Sequence, residues 1–427
     1  MDIIIFLVFL YGIFFNVKGL PTACCIALLT DGFYVLNHIS TFPFTHEMSD
    51  TGLIALAIIF LTQNKTICPP NLRSSKIAAL FLIFVSFSIF IDMMCNDIDL
   101  LSICKTSRHW IGIFAFFLFI KLPQEYAQKT TSIIGIILIV LTVIQIFDWY
   151  INLGLFSDYS IIEGTHSAYR RGSIPSILLF YYFYYLQSNT KSIGYYVYPV
   201  LGIILLSILL SGIRTFLLAL ILGECLLYFI RAYNKKVSPK ELLILTTAII
   251  LLSIAIYQIP QIRERLVDFK SEINNEDYQY TRKFYNGNFS FRMELFWERF
   301  DYISQNFRTK IFGIGNVTEK NFSGSFLISH NEAQLDTADS SWVLLVLRTG
   351  LAGTIIYITM SVVFIVECIH YKNPNKWPLI IYISLSLLIL SFSSSAFSRG
   401  YFWVFPSVAL ASLYNPPESN DKELINK

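Results

Sequence analysis

The sequence predicts an all-α, polytopic membrane protein with about 12–13 transmembrane helices and one large extracytoplasmic loop containing short helices. Three observations lead there. Only 14% of the 427 residues are charged, where a soluble chain carries about 25%, so there is too little polar surface to cover a globule. Apolar runs recur from end to end, and the mean hydropathy is +0.57. A single long polar stretch, residues 260–339, interrupts them. The net charge of +3 is small and scattered, which argues against a nucleic-acid partner.

The apolar runs lie at 3–16, 20–36, 51–62, 77–94, 109–120, 130–150, 173–187, 193–210, 213–230, 241–259, 340–368, 378–392 and 400–414. In hydrocarbon a backbone must satisfy its own hydrogen bonds, so each is read as a helix. The runs at 51–62 and 109–120 fall short of the about 20 residues that a span needs and require their flanks. The first run opens at Asp2 with no basic segment before it and no small-residue cleavage site after it. It reads as a retained span rather than a signal peptide. The seven cysteines form no CxxC pair. Cys95 and Cys104 share one short loop, where a disulfide and free thiols both fit.

Short basic loops give the orientation. Residues 63–76 carry Lys65, Arg73 and Lys76, and residues 231–240 carry Arg231, Lys235, Lys236 and Lys240. Lys121 with Lys129, and Lys372 with Lys376, mark two more. The positive-inside rule puts these in the cytoplasm. The loops at 37–50, 95–108, 151–172, 260–339 and 393–399 then fall outside. The chain divides into N-terminal transmembrane helices (1–259), a large periplasmic loop (260–339), C-terminal transmembrane helices (340–414) and a cytoplasmic tail (415–427). Inside the large loop, Ser290 is placed to cap a helix. Leu295, Phe296, Trp297, Phe300, Ile303 and Phe307 recur there at helical spacing, an apolar stripe for the membrane domain or the interface.

Lysine and arginine divide differently across this topology. Of 18 lysines, 13 fall inside; of 14 arginines, only Arg73 and Arg231 do. With 15 of 32 basic residues inside, random mixing would put six to seven arginines there. The positive-inside rule treats the two alike and does not explain the split. Arginine offers a planar fork for phosphate or carboxylate and stays charged at low dielectric, so an outward cluster points to an anionic ligand. Pairing with acidic loop residues is the competing account. Arg214, Arg348 and Arg399 sit at outer helix ends, and Arg170 and Arg171 precede another helix. A charge there has a task or snorkels to head groups. His330, Asp336 and Asp339 are acid–base candidates, Asp339 being equally placed to cap the next helix. Glu163 and His166 are a weaker pair.

Four stretches together resemble the O-antigen polymerase (Wzy) family of the O-antigen polymerase/ligase superfamily. They are Ser211-Gly212-Ile213-Arg214-Thr215 with Phe216 to Leu218; Arg171-Gly172-Ser173-Ile174-Pro175; Phe291-Arg292-Met293-Glu294-Leu295-Phe296-Trp297 with Ile311-Phe312-Gly313-Ile314-Gly315-Asn316; and Asp339-Ser340-Ser341-Trp342 running to Arg348-Thr349-Gly350-Leu351-Ala352-Gly353. The likeness spans about residues 165–415 by order and spacing around one loop. Ligases of the superfamily carry a histidine at the start of the helix after that loop. Here Asp339-Ser340-Ser341-Trp342-Val343 stands in its place, and His330-Asn331 lies earlier. This departure favours a polymerase.

The resemblance implies a glycosyltransferase of the bacterial inner membrane that needs no metal or other cofactor and acts on the periplasmic face. The growing glycan would leave undecaprenyl diphosphate for a hydroxyl of a lipid-linked repeat unit. Arg214 would serve the leaving diphosphate, with Arg170, Arg171, Arg292, Arg348 and Arg399 as further substrate contacts. Asp339 or His330 would be the base. Implied partners are the undecaprenyl-diphosphate-linked oligosaccharide, the bilayer, a chain-length regulator and a flippase. Ligase, polysaccharide flippase and plain transporter remain alternative readings.

Overall fold

The computed structural model describes residues 2–33, 47–63, 72–95, 103, 106–107, 110, 112–151, 176–188, 197–211, 214–233, 289–317, 322, 324, 326, 335, 340–370, 376–392, 397 and 400–413. Among them there is no strand. The helices are α1 (Asp2–Phe14), α2 (Leu20–Leu29), α3 (Met48–Gln63), α4 (Arg73–Cys95), α5 (Phe114–Phe119), α6 (Gln124–Ile151), α7 (Ser176–Ser188), α8 (Val197–Ser211), α9 (Arg214–Tyr233), α10 (Phe289–Ser304), α11 (Phe307–Phe312), α12 (Ser341–His370), α13 (Trp377–Leu388) and α14 (Val404–Leu413). Short 3-10 turns at Leu390–Phe392 and Gly400–Trp403 follow α13 and precede α14. Three helices, within α4, α6 and α12, are long and apolar enough to cross a bilayer alone, and several shorter apolar helices accompany them. This is an all-α polytopic membrane protein. The expected span at 241–259 and the tail lie outside the described residues, as do Cys104 and the side chain of Cys95.

Where helix ends depart from the apolar runs, the reasons are local. The run 20–36 stops being helical at Leu29, because Asp31, Gly32 and Phe33 all take positive φ and Gly32 N–H closes back on the Ala27 carbonyl at 2.7 Å. Residues 51–62 do recruit their flank: α3 starts at Met48, with Asp31 accepting from Ser49 N–H (3.0 Å) and Asp50 from Glu47 N–H (3.0 Å), which satisfies orphan first-turn donors. Among the described residues of 109–120, Trp110 and the six-residue α5 are helical. Phe116 of α5 is buried among Phe364 and Trp403, so this face of the segment fills the core.

The core is aromatic. Phe180 to Tyr185 of α7 are all buried. Tyr181 packs on Tyr382 of α13 and Phe405 of α14, with ring centroids 5.4 and 5.2 Å apart. Trp403 is buried against Tyr357 and Phe364 of α12 and donates its indole N–H to the Tyr357 hydroxyl (2.9 Å). Rings of this size supply much apolar area, and their edge-to-face packing adds about 0.5–1.5 kcal/mol per pair.

Polar contacts gather at the two ends of the bundle. At the lysine end, Lys18 pairs with Glu125 at 2.7 Å, Gln124 and Gln128 reach the Ser412 carbonyl, and Arg231 donates to Gln187, which donates to Glu224. There Glu367 of α12 also accepts from the Arg73 and Ser74 N–H groups that open α4, a carboxylate set against a helix N-terminus. At the arginine end, Asp92 and Thr106 bond to Asn316, Arg348 to the Gly315 carbonyl, Ser340 to the Ser391 carbonyl and Phe397 N–H to Ser341. Each contact joins residues that the alternation of spans places on the same side.

Candidate active site

The loop helix α10 lies along the first turns of α12. Leu295 packs on Val343, and Ile303 joins Ile314, Phe326, Leu335, Val346 and Leu347 in a small core separate from the main one. The helix begins at Phe289, so Ser290 lies inside its first turn rather than capping it. The expected stripe is also narrower than its spacing suggests. Leu295 and Ile303 are buried, Phe296 and Phe300 half-buried, but Trp297 is exposed. Phe307 belongs to the next helix and is 79% exposed.

Arg292, Leu295 and Arg299 follow at three- and four-residue steps and share one face of α10. Arg292 is half-buried. Arg299 is 1% exposed, pairs with Glu298 and holds its guanidinium 4.1 Å above the Phe326 ring. Burial pushes its pKa down to about 10, with Glu298 acting the other way. A cation desolvated on an aromatic face and paired to a carboxylate is part of the loop's core. Nothing in the sequence distinguished Arg299 from its neighbours.

α12 is two helices in one. Gly350 takes φ 60° and ψ −166°, which breaks the helix after Thr349. That conformation is essentially open to glycine alone. The break strands the carbonyls of Leu347 and Arg348, and the Gly313–Asn316 turn supplies their donors. Ile314 N–H reaches the Leu347 carbonyl at 2.8 Å and Gly315 N–H the Arg348 carbonyl at 3.1 Å. Gly313 (φ 73°) and Gly315 (φ 68°) let the backbones approach this closely. A methyl on Gly350 would collide with the Gly313 nitrogen and the Ile311 carbonyl oxygen.

Asp92, near the end of α4, closes the arrangement. Its buried carboxylate accepts from Asn316 N–H at 2.8 Å and from the Asn316 side-chain amide at 3.1 Å. Thr106 donates to the Asn316 carbonyl at 3.1 Å. Arg348, 7% exposed, donates from Nη1 to the carbonyls of Gly315 (3.1 Å) and Val317. The sequence placed Arg348 among substrate contacts; the structure turns its guanidinium into this turn. Asp92 carried no signal, because its partner lies 224 residues away. Asp92→Ala is expected to lower stability by about 2–3 kcal/mol, the loss of hydrogen bonds to a buried charged acceptor. Asp92→Asn, which keeps one acceptor oxygen, should cost less. Thermal unfolding in detergent measures both.

The start of α12 is packed rather than open. The Ser340 hydroxyl contacts the Ser391 carbonyl at 3.5 Å, and Ser341 Oγ accepts from Phe397 N–H at 3.1 Å. Trp342 lies against Phe392, ring centroids 6.2 Å apart, and its buried indole N–H has no hydrogen-bond partner among the described residues. The Leu390–Phe392 turn also meets α9, whose first residue is Arg214. The fold thus brings the opening of α9, the opening of α12 and the face of α10 bearing Arg292 to one end of the bundle. The side chain of Arg214 and all of Arg170, Arg171, Arg399, His330, Asp336, Asp339, Glu163 and His166 lie outside the described residues. Among the described residues, no three His, Cys, Asp or Glu side chains gather as a metal-holding group.

Residues 199–358 match the family model described as O-antigen ligase. The match supports the O-antigen polymerase/ligase superfamily. The matched O-antigen ligase-like domain runs from α8 through the kink of α12, so both halves of the Gly313–Gly350 contact lie inside it. Asp92 and Thr106, which complete that contact, lie outside. The family implies a membrane enzyme of glycosyl transfer. No curated protein gives a match.

Proposed function

We propose that this protein is a polymerase of surface-polysaccharide repeat units, moving a growing glycan from undecaprenyl diphosphate to a lipid-linked repeat unit. The observation that carries this reading is the one-ended convergence of the α9 opening at Arg214, the Arg292 face of α10 and the start of α12. Leaving diphosphate develops negative charge, and fixed guanidinium groups stabilise it without reorganisation. Asp339 or His330 is the base for the acceptor hydroxyl. The arginine end faces the periplasm, and the bundle sits in the bacterial inner membrane with residues 260–339 as a lid over the site. Arg170, Arg171 and Arg399 contribute further contacts from the same face. Arg348 acts by holding the Gly313–Asn316 turn.

The ligase reading has one observation on its side, the description of the matched family. Against it stands the start of α12, where Ser340, Ser341 and Trp342 are packed and no histidine stands. Deleting the gene separates the readings. A polymerase mutant leaves single repeat units on lipid A, and this is the expected result. A ligase mutant would leave polymer on the lipid carrier. A flippase mutant would place no repeat units on lipid A, and either of those outcomes would overturn the polymerase reading.

A further inference from the structure

We propose that Phe307–Asn316, within the long polar stretch 260–339, is an interfacial element that dips among the acyl chains of the leaflet at the arginine end. The proposal rests on depth, surface and hydrogen bonding, and is independent of the reaction catalysed.

Depth follows from α4 and α12. They are pinned together at the lysine end, where Glu367 accepts from Ser74 N–H. Phe312 stacks on Phe84 at 5.7 Å and meets Phe87 at 5.9 Å. At about 1.5 Å of rise per residue, these rings stand roughly 15–20 Å along α4 from Ser74. On α12, Gly350, the residue against which α11 closes, lies about 25 Å from Glu367 by the same rise. A hydrocarbon core is about 30 Å thick, so with the lysine-end contact at its near boundary Phe312 lies roughly 5–15 Å short of the far one, a range that overlaps the roughly 5–10 Å depth of interfacial helices.

The surface is continuous with a lipid face. Ile83, Phe87, Phe90 and Met94 form an exposed apolar stripe on α4 at helical spacing, the wall that a bilayer covers. Phe312 abuts this stripe at Phe87, and Phe307, five residues earlier in α11, is 79% exposed. Trp297 of α10 is also exposed, the residue type that favours the head-group level. Lys310 is the exposed cation of α11, and its stem is long enough to carry the ammonium to the phosphates.

The hydrogen bonding is that of a buried segment. Non-helical backbone at membrane depth survives only where protein satisfies it. All four N–H groups from Gly313 to Asn316 find protein acceptors: the carbonyls of Thr309, Leu347 and Arg348, and the Asp92 carboxylate. The Gly315, Asn316 and Val317 carbonyls are met by Arg348 and Thr106. A turn in water has no need of a protein acceptor for each of these N–H groups.

The test uses the full-length protein in phospholipid vesicles. A carbene-generating hydrophobic photolabel confined to the acyl region is activated, and labelled peptides are mapped by mass spectrometry. The expected result is label on Phe307–Phe312 at a yield comparable to that on Ile83–Met94, with Phe307 protected from hydroxyl radicals in the water phase. Label on the α4 stripe but not on α11, with Phe307 oxidised from water, would overturn the proposal. Neither outcome depends on glycan transfer.

Discussion

Replacing Arg214 by alanine is expected to abolish polymer while leaving the protein inserted and abundant. Arg214 is the first residue of α9, and the positive end of a helix dipole disfavours a cation there, by about 0.3–1 kcal/mol. Helix stability is therefore no reason for an arginine at this position, and Ala should not weaken α9. An anionic ligand reverses the sign: guanidinium and helix N-terminus then act together on one negative charge. Removing a fixed donor from developing charge costs on the order of 10²–10³ in rate, enough to erase a ladder. Arg214→Lys should restore little, because a point charge lacks the bidentate fork. Polymer length in a complemented deletion strain, read beside membrane abundance, is the measurement. Wild-type polymer from Arg214→Ala would remove Arg214 from the site, and full activity from Arg214→Lys would mean that charge alone matters.

Hydropathy located α4, α6 and α12 closely because apolar length is what a bilayer selects. It marked 109–120 as too short to span without its flanks, and there the described residues place Trp110 and the six-residue α5 in helix, with Phe116 packed inward. It could not see the break in α12, since Gly350 lies inside the run 340–368 and the sign of a φ angle leaves no trace in hydropathy. The Phe312-Gly313-Ile314-Gly315 run was legible as a motif, but its role as donor to the Leu347 and Arg348 carbonyls needed the partner chain segment in view. Arginines were the least separable. Arg292, Arg299 and Arg348 read alike as outward cations, yet Arg299 is sealed under Phe326 and Arg348 is bonded into a turn. The bias of arginine toward one face thus has, beside the proposed ligand contact, a second cause in the packing and wiring of the loop itself. The second had no place in a reading of loops alone.

That second cause links the family domain to the rest of the bundle. The Gly313–Asn316 turn is joined to α12 through backbone and to α4 through Asp92. It fixes the direction of residues 341–349 relative to α10, and so the distance from the α12 opening to the face bearing Arg292. A fault at this joint should disturb the site without touching a substrate contact.

Gly350→Ala is accordingly expected to be the most damaging single-methyl change in the described structure. The residue would have to hold φ 60° and ψ −166°, a strain of about 1–3 kcal/mol for a non-glycine residue. Its Cβ would also meet the Gly313 nitrogen and the Ile311 carbonyl. Both are backbone atoms that cannot swing away, and relieving such overpacking adds about 1–3 kcal/mol. The alternative is to straighten α12, which would expel the turn and leave the buried Asn316 and Arg348 groups unpaired. Gly202 gives the contrast. It lies on α8 with nothing within 4 Å of an added Cβ, and alanine there should be neutral or stabilise by up to about 1 kcal/mol through helix propensity. Thermal unfolding and membrane abundance of the two variants decide the matter. Gly350→Ala should fall well below the parent in both and lose polymer, while Gly202→Ala should match or exceed it. An unchanged unfolding temperature for Gly350→Ala would show that α12 is not held in this kink by glycine.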